Sequence, residues 1–199
     1  MDMELITARL TVREFVEADA PFIVTLLNQS SFLRFIGDKK VRTIEDARNY
    51  IQTGPLDDYK RHGFGQYLVQ LKDANKPIGM CGLLKREKLE HADLGFAFLP
   101  EAWGNGYAFE AASAVLEHAR DVLKLSCILA ITNPDNDASI KLLSGLGFQF
   151  ECLKRLSNDA DQVKVFSLNL ASRSADSLQH LTNARGGSSV SDSGGTHEP

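Results

Sequence analysis

The residues whose types and spacing first invite chemistry are Glu101-Ala102-Trp103-Gly104-Asn105-Gly106-Tyr107-Ala108, where two glycines stand one residue apart ahead of a run with helical periodicity. Glycine lacks a Cβ and reaches left-handed backbone conformations readily, so successive N–H groups of such a loop can converge on one anion. A helix start adds its own unsatisfied amides and the positive end of its dipole, which contribute about 0.3–1 kcal/mol per charge and up to about 2 when partly buried. Taken alone, the same letters also describe a plain glycine turn between strand and helix. Two familiar phosphate fingerprints do not fit. A dinucleotide loop needs a third glycine where Phe109 stands, and a P-loop needs a Gly-Lys-Ser/Thr that the chain does not contain. Cys81, Cys127 and Cys152 have neither CxxC spacing nor a nearby His pair, so reduced thiols are expected, with no disulfide framework and no metal site.

Composition narrows the field further. The 199 residues carry 22 Lys+Arg against 26 Asp+Glu, a net charge of −4, which is the wrong sign for a protein that tracks nucleic-acid phosphates. No stretch approaches the ~20 apolar residues of a membrane span, and MDMELITARL has acids where a signal peptide carries bases, so a cytoplasmic location is expected. Residues 171–199 include seven Ser and four Gly but no aromatic residue. They read as a disordered tail, because so little apolar surface cannot offset roughly 1–2 kcal/mol of chain entropy per ordered residue. Residues 1–170 then form one domain with 20 basic and 23 acidic residues.

Within that domain the periodicity switches repeatedly between 2 and 3.6, which is the pattern of mixed α/β structure. Leu5 to Phe15 alternates as a strand, and Asp19 with Ala20-Pro21 marks a helix start. Thr43 and Asp46 have capping-box spacing for a helix from Ile44 that halts near Gly54-Pro55, with a further helical piece to Arg61. Gly65–Leu71, Ile78–Lys85 and Asp93–Leu99 read as an antiparallel meander. The helix after the glycine loop places Ala108, Ala111, Ala112, Val115, Ala119 and Val122 on one face and Glu110, Ser113, Glu117 and Lys124 on the other. A strand over Cys127–Thr132, a helix over Asp137–Leu146 and strands around Phe148–Leu153 and Val163–Leu170, joined by the turn Ser157–Ala160, complete the order β-α-α-β-β-β-α-β-α-β-β. The helix between the strands ending at Leu99 and beginning near Cys127 makes a right-handed parallel βαβ unit, whose ligands gather where strand gives way to helix. That is where the glycine loop lies.

In this order, Leu94-Gly95-Phe96-Ala97-Phe98-Leu99-Pro100-Glu101-Ala102-Trp103-Gly104-Asn105-Gly106-Tyr107-Ala108-Phe109-Glu110-Ala111 resembles the strand, pyrophosphate loop and long helix of the GNAT superfamily of acyl-CoA-dependent N-acetyltransferases. The similarity is to its ribosomal-protein N-terminal acetyltransferase branch. Asn136-Asp137-Ala138-Ser139 with Gly147-Phe148 resembles the second motif of that branch, and Thr7-Ala8-Arg9-Leu10-x-x-Arg13 its opening. There are two departures. Glu101 replaces the usual Arg or Gln and is expected to face solvent, while Leu143 stands where the superfamily often has a Tyr that protonates the departing thiolate. Ser139 is the substitute implied by the branch.

The resemblance implies a GNAT-like fold: a mixed, mostly antiparallel twisted sheet of about seven strands flanked by about four helices. It implies direct transfer of acetyl from acetyl-CoA, a cosubstrate used without metal, to an amine. The amides of Gly104, Asn105, Gly106, Tyr107 and Ala108 would hold the pyrophosphate, and the strand Phe96, Ala97, Phe98 would pair with the pantetheine arm. Asn136 would bond the pantetheine and Ser139 would protonate the leaving sulfur or position that arm, although both also suit local helix capping. Asp93 and Glu151 are the candidates to accept the amine's proton, and His91 reads as exposed. Near pH 7.4 an α-amine of pKa ~7.7–8 is about a quarter neutral and a lysine of pKa ~10.4 only about 0.1% neutral, so with no strong base in view an α-amine of a peptide or small molecule is favoured. Acceptor selectivity is expected in the loops near Phe32–Lys40 and Ser157–Gln162. The competing reading is a non-catalytic acyl-CoA-binding or interaction module on the same fold. Neither nucleic acid nor membrane is an expected partner, and the protein is expected to be a monomer or homodimer.

Overall fold

The structure is a computed structural model that describes residues 3–156 and 161–171. The alternating run between Leu5 and Phe15 is not one strand but two: β1 (Glu4–Ile6) and β2 (Leu10–Arg13) pair antiparallel, with Ile6 opposite Thr11. Thr7 makes the turn. Its hydroxyl accepts the Leu10 amide at 2.9 Å, a local bond that competes with strand continuation.

Four helices follow: α1 (Ala20–Leu27), α2 (Ser30–Phe35), α3 (Ile44–Thr53) and α4 (Pro55–His62). The capping box at Thr43 forms as its spacing predicts, with the Thr43 hydroxyl taking the Asp46 amide at 3.1 Å and the Asp46 carboxylate taking the Thr43 amide at 2.9 Å. Gly54-Pro55 divides α3 from α4 because proline cannot supply the amide that a continuous helix needs. The six-residue α2 has too few turns to show a period in the sequence; what fixes it is burial of Phe32 beneath it.

The sheet adds β3 (Gln66–Leu71), β4 (Lys76–Leu84), β5 (Asp93–Phe98), β6 (Cys127–Thr132), β7 (Gln149–Arg155) and β8 (Gln162–Asn169), with α5 (Tyr107–Asp121) between β5 and β6 and α6 (Asp137–Gly145) between β6 and β7. Its order is β1-β2-β3-β4-β5-β6-β8-β7, and every pairing is antiparallel except β5 with β6. The class is the mixed, mostly antiparallel one expected. The count rises from about seven strands to eight, because the first run is a hairpin, and from about four helices to six. The turn at Ser157–Ala160 and residues 172–199 of the 171–199 segment lie outside the described residues.

One face of the sheet (Tyr67, Cys81, Leu83, Leu94, Phe98, Ile128, Phe166) buries the small side chains of α5, Ala111, Ala112 and Ala119 among them. The other (Leu68, Met80) packs on Phe15, Ile23, Leu27 and Ile51 under α1 and α3. The amphipathic pattern of α5 needs two corrections. The helix ends at Asp121, so Val122 leaves the face and is 64% exposed, while Ser113 is buried where Ala112 and Val115 bring it inward. Among the described residues no helix is long and apolar enough to cross a membrane.

Candidate active site

The single parallel pairing in the sheet is short. Asp93 lies opposite Leu129 and Leu94 opposite Ala130, and there the β5–β6 ladder ends, so the remaining two thirds of β5 runs beside a gap. Which backbone groups face that gap follows from the alternation of strand hydrogen bonding. Leu99 donates to Ile78 of β4, so the odd residues Ala97 and Gly95 turn their N–H and C=O to β4, whereas the Ala92 carbonyl receives Leu129 of β6. Phe96 and Phe98 therefore face the gap. Ala97, expected with them, does not: it stands opposite Met80 in the β4 ladder. The Phe98 carbonyl is taken by the Trp103 indole N–H at 2.9 Å, which leaves the Phe96 N–H and C=O and the Phe98 N–H directed at the gap.

At the open end of β5 a short 3-10 turn over Pro100–Ala102 leads into the glycine loop. Gly104 (φ +75°) and Gly106 (φ +77°) are both left-handed, a conformation costing other L-residues roughly 1–2 kcal/mol. A Cβ at Gly104 would meet nothing within 4 Å, and at Gly106 only the Arg9 guanidinium at 3.5 Å, so the space over the loop is free. No side chain caps α5. Asn105 folds its own amide back onto the Trp103 carbonyl at 3.0 Å, so only its backbone N–H is left to the loop. The loop thus sets two left-handed glycines ahead of an α5 N-terminus without a side-chain cap, an arrangement whose backbone amides could hold a pyrophosphate. Glu101 points away, bonded to Lys76 at 2.9 Å and half exposed.

Sequence reasoning missed the clasp that holds this loop. Glu110, on the first turn of α5, accepts the Thr7 hydroxyl (2.6 Å), the Arg9 amide (2.8 Å) and the Arg9 guanidinium Nε (2.7 Å). Arg9 also donates to the Asn105 carbonyl at 2.9 Å and lies over the Tyr107 ring at 4.6 Å. Burial alone would push the Glu110 carboxyl up, but these three donors outweigh it and hold the group below the usual glutamate range. The signal was Thr7-Ala8-Arg9 together with Glu110, separated by about half the chain and joined only by folding.

The second cluster sits at the far end of β6. Asn136 caps α6, its Oδ1 accepting the Ser139 amide at 3.1 Å. That is the local capping role, and it fixes the first turn of α6 beside the open end of the gap, with the Ser139 hydroxyl left without a partner among the described residues. Leu143 is core, so no side chain from that position reaches the gap.

The two acid candidates are not brought together. Asp93 lies where the β5–β6 ladder ends, but its side chain is only 1% exposed and both carboxylate oxygens stand 3.0–3.1 Å from the Arg86 Nε. Burial raises its carboxyl above the usual range, with Arg86 opposing. Asp93 is therefore an anchor for Arg86 and not a base open to an incoming amine, which the sequence alone does not reveal. Glu151 lies in the bulge of the edge strand β7, exposed and accepting the Ser167 hydroxyl. Three strand spacings, about 14 Å, separate it from β5. His91 is half-buried in the β4–β5 connection. Among the described residues no group of His, Cys, Asp or Glu has the arrangement of a metal site.

The chain can be compared with known proteins on this basis. A family described as "Acetyltransferase (GNAT) domain" matches residues 9–149. The uncharacterized N-acetyltransferase YoaA of Bacillus subtilis (strain 168) is 32% identical over 150 residues, 75% of this chain and 84% of the relative. The fold is similar to that of the ribosomal-protein-S5-alanine acetyltransferase of Vibrio fischeri, with a TM-score of 0.71 at 20% identity over 86% of this chain and 98% of that one. It is also similar to RimL, a ribosomal L7/L12 alpha-N-protein acetyltransferase solved in complex with coenzyme A, with a TM-score of 0.72 at 18% identity over 83% of this chain and 96% of that one.

Proposed function

Because the chain belongs to the acetyltransferase (GNAT) domain family, we propose that it moves an acetyl group from acetyl-CoA to a primary amine, an α-amine of a peptide or small molecule in preference to a lysine. The observation that carries this reading is the uncapped N-terminus of α5 beneath two left-handed glycines, placed at the open end of the β5–β6 gap. An anion held there directs whatever is attached to it along β5, toward the point where the ladder closes at Leu94. Acetyl-CoA supplies the activated thioester; the amine nitrogen forms the new bond to the acetyl carbon as the C–S bond breaks.

The residues divide the work. The amides from Gly104 to Ala108 bind the pyrophosphate, and Arg9 keeps the loop in shape while offsetting Glu110. Phe96 and Phe98 bond the pantetheine amides, and a backbone N–H of this strand is available to the developing oxyanion, an interaction worth about 3–4 kcal/mol in oxyanion holes. The Ser139 hydroxyl, on the first turn of α6, is the proton donor for the departing sulfur. With Asp93 shielded by Arg86 and Glu151 remote, no strong base is presented among the described residues, which supports an acceptor already partly neutral near pH 7.4.

The test is calorimetric titration with CoA together with thiol release from acetyl-CoA, using N-terminal peptides, amino acids and lysine analogues as acceptors. CoA binding with turnover on α-amines supports the reading. CoA binding with no thiol release on any amine would favour a binding module, and failure to bind CoA would overturn both.

A further inference from the structure

Trp103 is the chain's one tryptophan, and it stands where β5 gives way to the glycine loop. The residue is tied at three points. Its backbone N–H donates to the Pro100 carbonyl at 3.1 Å, its carbonyl accepts the Asn105 side-chain amide at 3.0 Å, and its indole N–H donates to the Phe98 carbonyl at 2.9 Å. The ring itself is 55% exposed. A large side chain held this firmly, yet left more than half in water, does little for the core, so the role of the residue lies in what its nitrogen holds.

That bond changes what β5 offers to the gap. Beyond the last ladder pair at Leu94, the alternation of strand bonding turns the carbonyls of Phe96 and Phe98 toward the gap, while those of Gly95 and Ala97 turn to β4. An amide N–H entering the gap would otherwise meet two like acceptors two residues apart, about 6.6 Å along the strand. The indole fills the one nearer the loop, and Phe96 remains. A flexible arm whose pyrophosphate sits on the loop can reach either carbonyl, because slack between the two ends takes up the difference. The thioester has no such latitude. Reacting atoms must stand about 3–3.5 Å apart, and a slip of one strand repeat withdraws the acetyl carbon by about twice that distance.

We propose that Trp103 is a positioning residue for acetyl-CoA: by capping the Phe98 carbonyl it sets the register in which the pantetheine arm pairs with β5, and so how far the thioester extends toward the closed end of the gap. This role rests on the acetyl-transfer reading, and the arm's register is measurable without turnover.

Trp103→Phe removes the donor and keeps an aromatic ring. Because the chain has no other tryptophan, incorporation of β-(3-benzothienyl)alanine in place of tryptophan exchanges the indole N–H for sulfur at this position alone. Register is read by NMR with carbonyl-labelled phenylalanine. Combined with nitrogen-labelled alanine it marks Phe96, the chain's one Phe-Ala; combined with nitrogen-labelled leucine it marks Phe98 together with Phe32, which is buried on the other face of the sheet and serves as the control. Adding CoA should shift the Phe96 carbonyl in the wild type and leave Phe98 in place, whereas in both altered proteins the Phe98 carbonyl should move as well. Two equally good carbonyls divide the bound cosubstrate evenly, so kcat and KM for acetyl-CoA should fall together by about twofold or more with kcat/KM held, the pattern of unproductive binding. A residue that only props the loop gives a different pattern, in which KM rises, kcat/KM falls and calorimetric CoA affinity weakens. That pattern, or a Phe98 carbonyl that does not respond to CoA in either altered protein, overturns the proposal. If the carbonyls respond as expected but no amine is acetylated, the positioning role stands and the acetyl-transfer reading falls. If CoA does not bind the wild type, both fall.

Discussion

Gly104 and Gly63 offer a controlled comparison at the level of single residues. Both have φ of +75°, and in both a Cβ would meet nothing within 4 Å. Gly63 ends α4, away from the loop, whereas Gly104 stands over the α5 N-terminus. Replacing either by alanine should cost the same backbone strain, roughly 1–2 kcal/mol in thermal or urea melts. Only Gly104→Ala should also weaken CoA binding, by about tenfold, the equivalent of 1.4 kcal/mol. Equal CoA affinities in the two variants would reduce the glycine loop to a plain turn. Ser139→Ala tests a different property. The Asn136 cap uses the backbone amide of Ser139 and survives the substitution, so melting and CoA affinity should hold while kcat falls on the order of 10²-fold, the usual loss of a proton donor.

Between elements, the clasp from the β1–β2 turn to α5 holds the glycine loop. Glu110→Gln keeps the size of the side chain but removes the charge that gathers Thr7 and Arg9, and should cost about 1–2 kcal/mol near neutral pH, given that Arg9 is half exposed. The sign of the pH effect follows from the carboxyl being held low: its contribution is complete above the ordinary glutamate value of about 4.3 and is lost as pH falls through the lower folded value. Wild type and variant should therefore converge in stability at acid pH. A gap that persists undiminished there would mean that packing, not charge, holds the loop. The Thr43 cap should behave independently of this clasp. Thr43→Ala is expected to lose about 1 kcal/mol without any change in CoA affinity, because α3 lies on the opposite face of the sheet from α5.

Across the whole molecule, a net charge of −4 looks unfavourable for a polyanionic cosubstrate. The objection disappears once the donors are backbone amides at a helix start, which no residue count includes. The domain closes at Leu170, which is buried and whose amide donates to the Ser126 carbonyl at 2.8 Å. A chain ending after Ala171 is expected to melt and turn over like the 199-residue chain, whereas one ending before Leu170 should lose stability by burying one leucine fewer, on the order of 2–3 kcal/mol. A large fall in turnover for the chain ending after Ala171 would assign residues 172–199 a part in the reaction.

Much of this was legible from letters alone, because local chemistry set it. The capping box at Thr43, the break at Gly54-Pro55, the crossover helix and the two positive-φ glycines each follow from what a few adjacent residues can do, and the order of two separated motifs pointed to the family. The remaining features needed tertiary contact. Whether Leu5 to Phe15 was one strand or two turned on a single threonine hydroxyl, and α2 was too short to show a period. Glu110 read as surface until the fold placed it against Thr7 and Arg9, a hundred residues away in the chain. Asp93 read as an open acid until folding buried it under Arg86. Sequence determines which groups exist and how neighbours bond. Only the closed fold decides which of them lose water and which are left to bind something else.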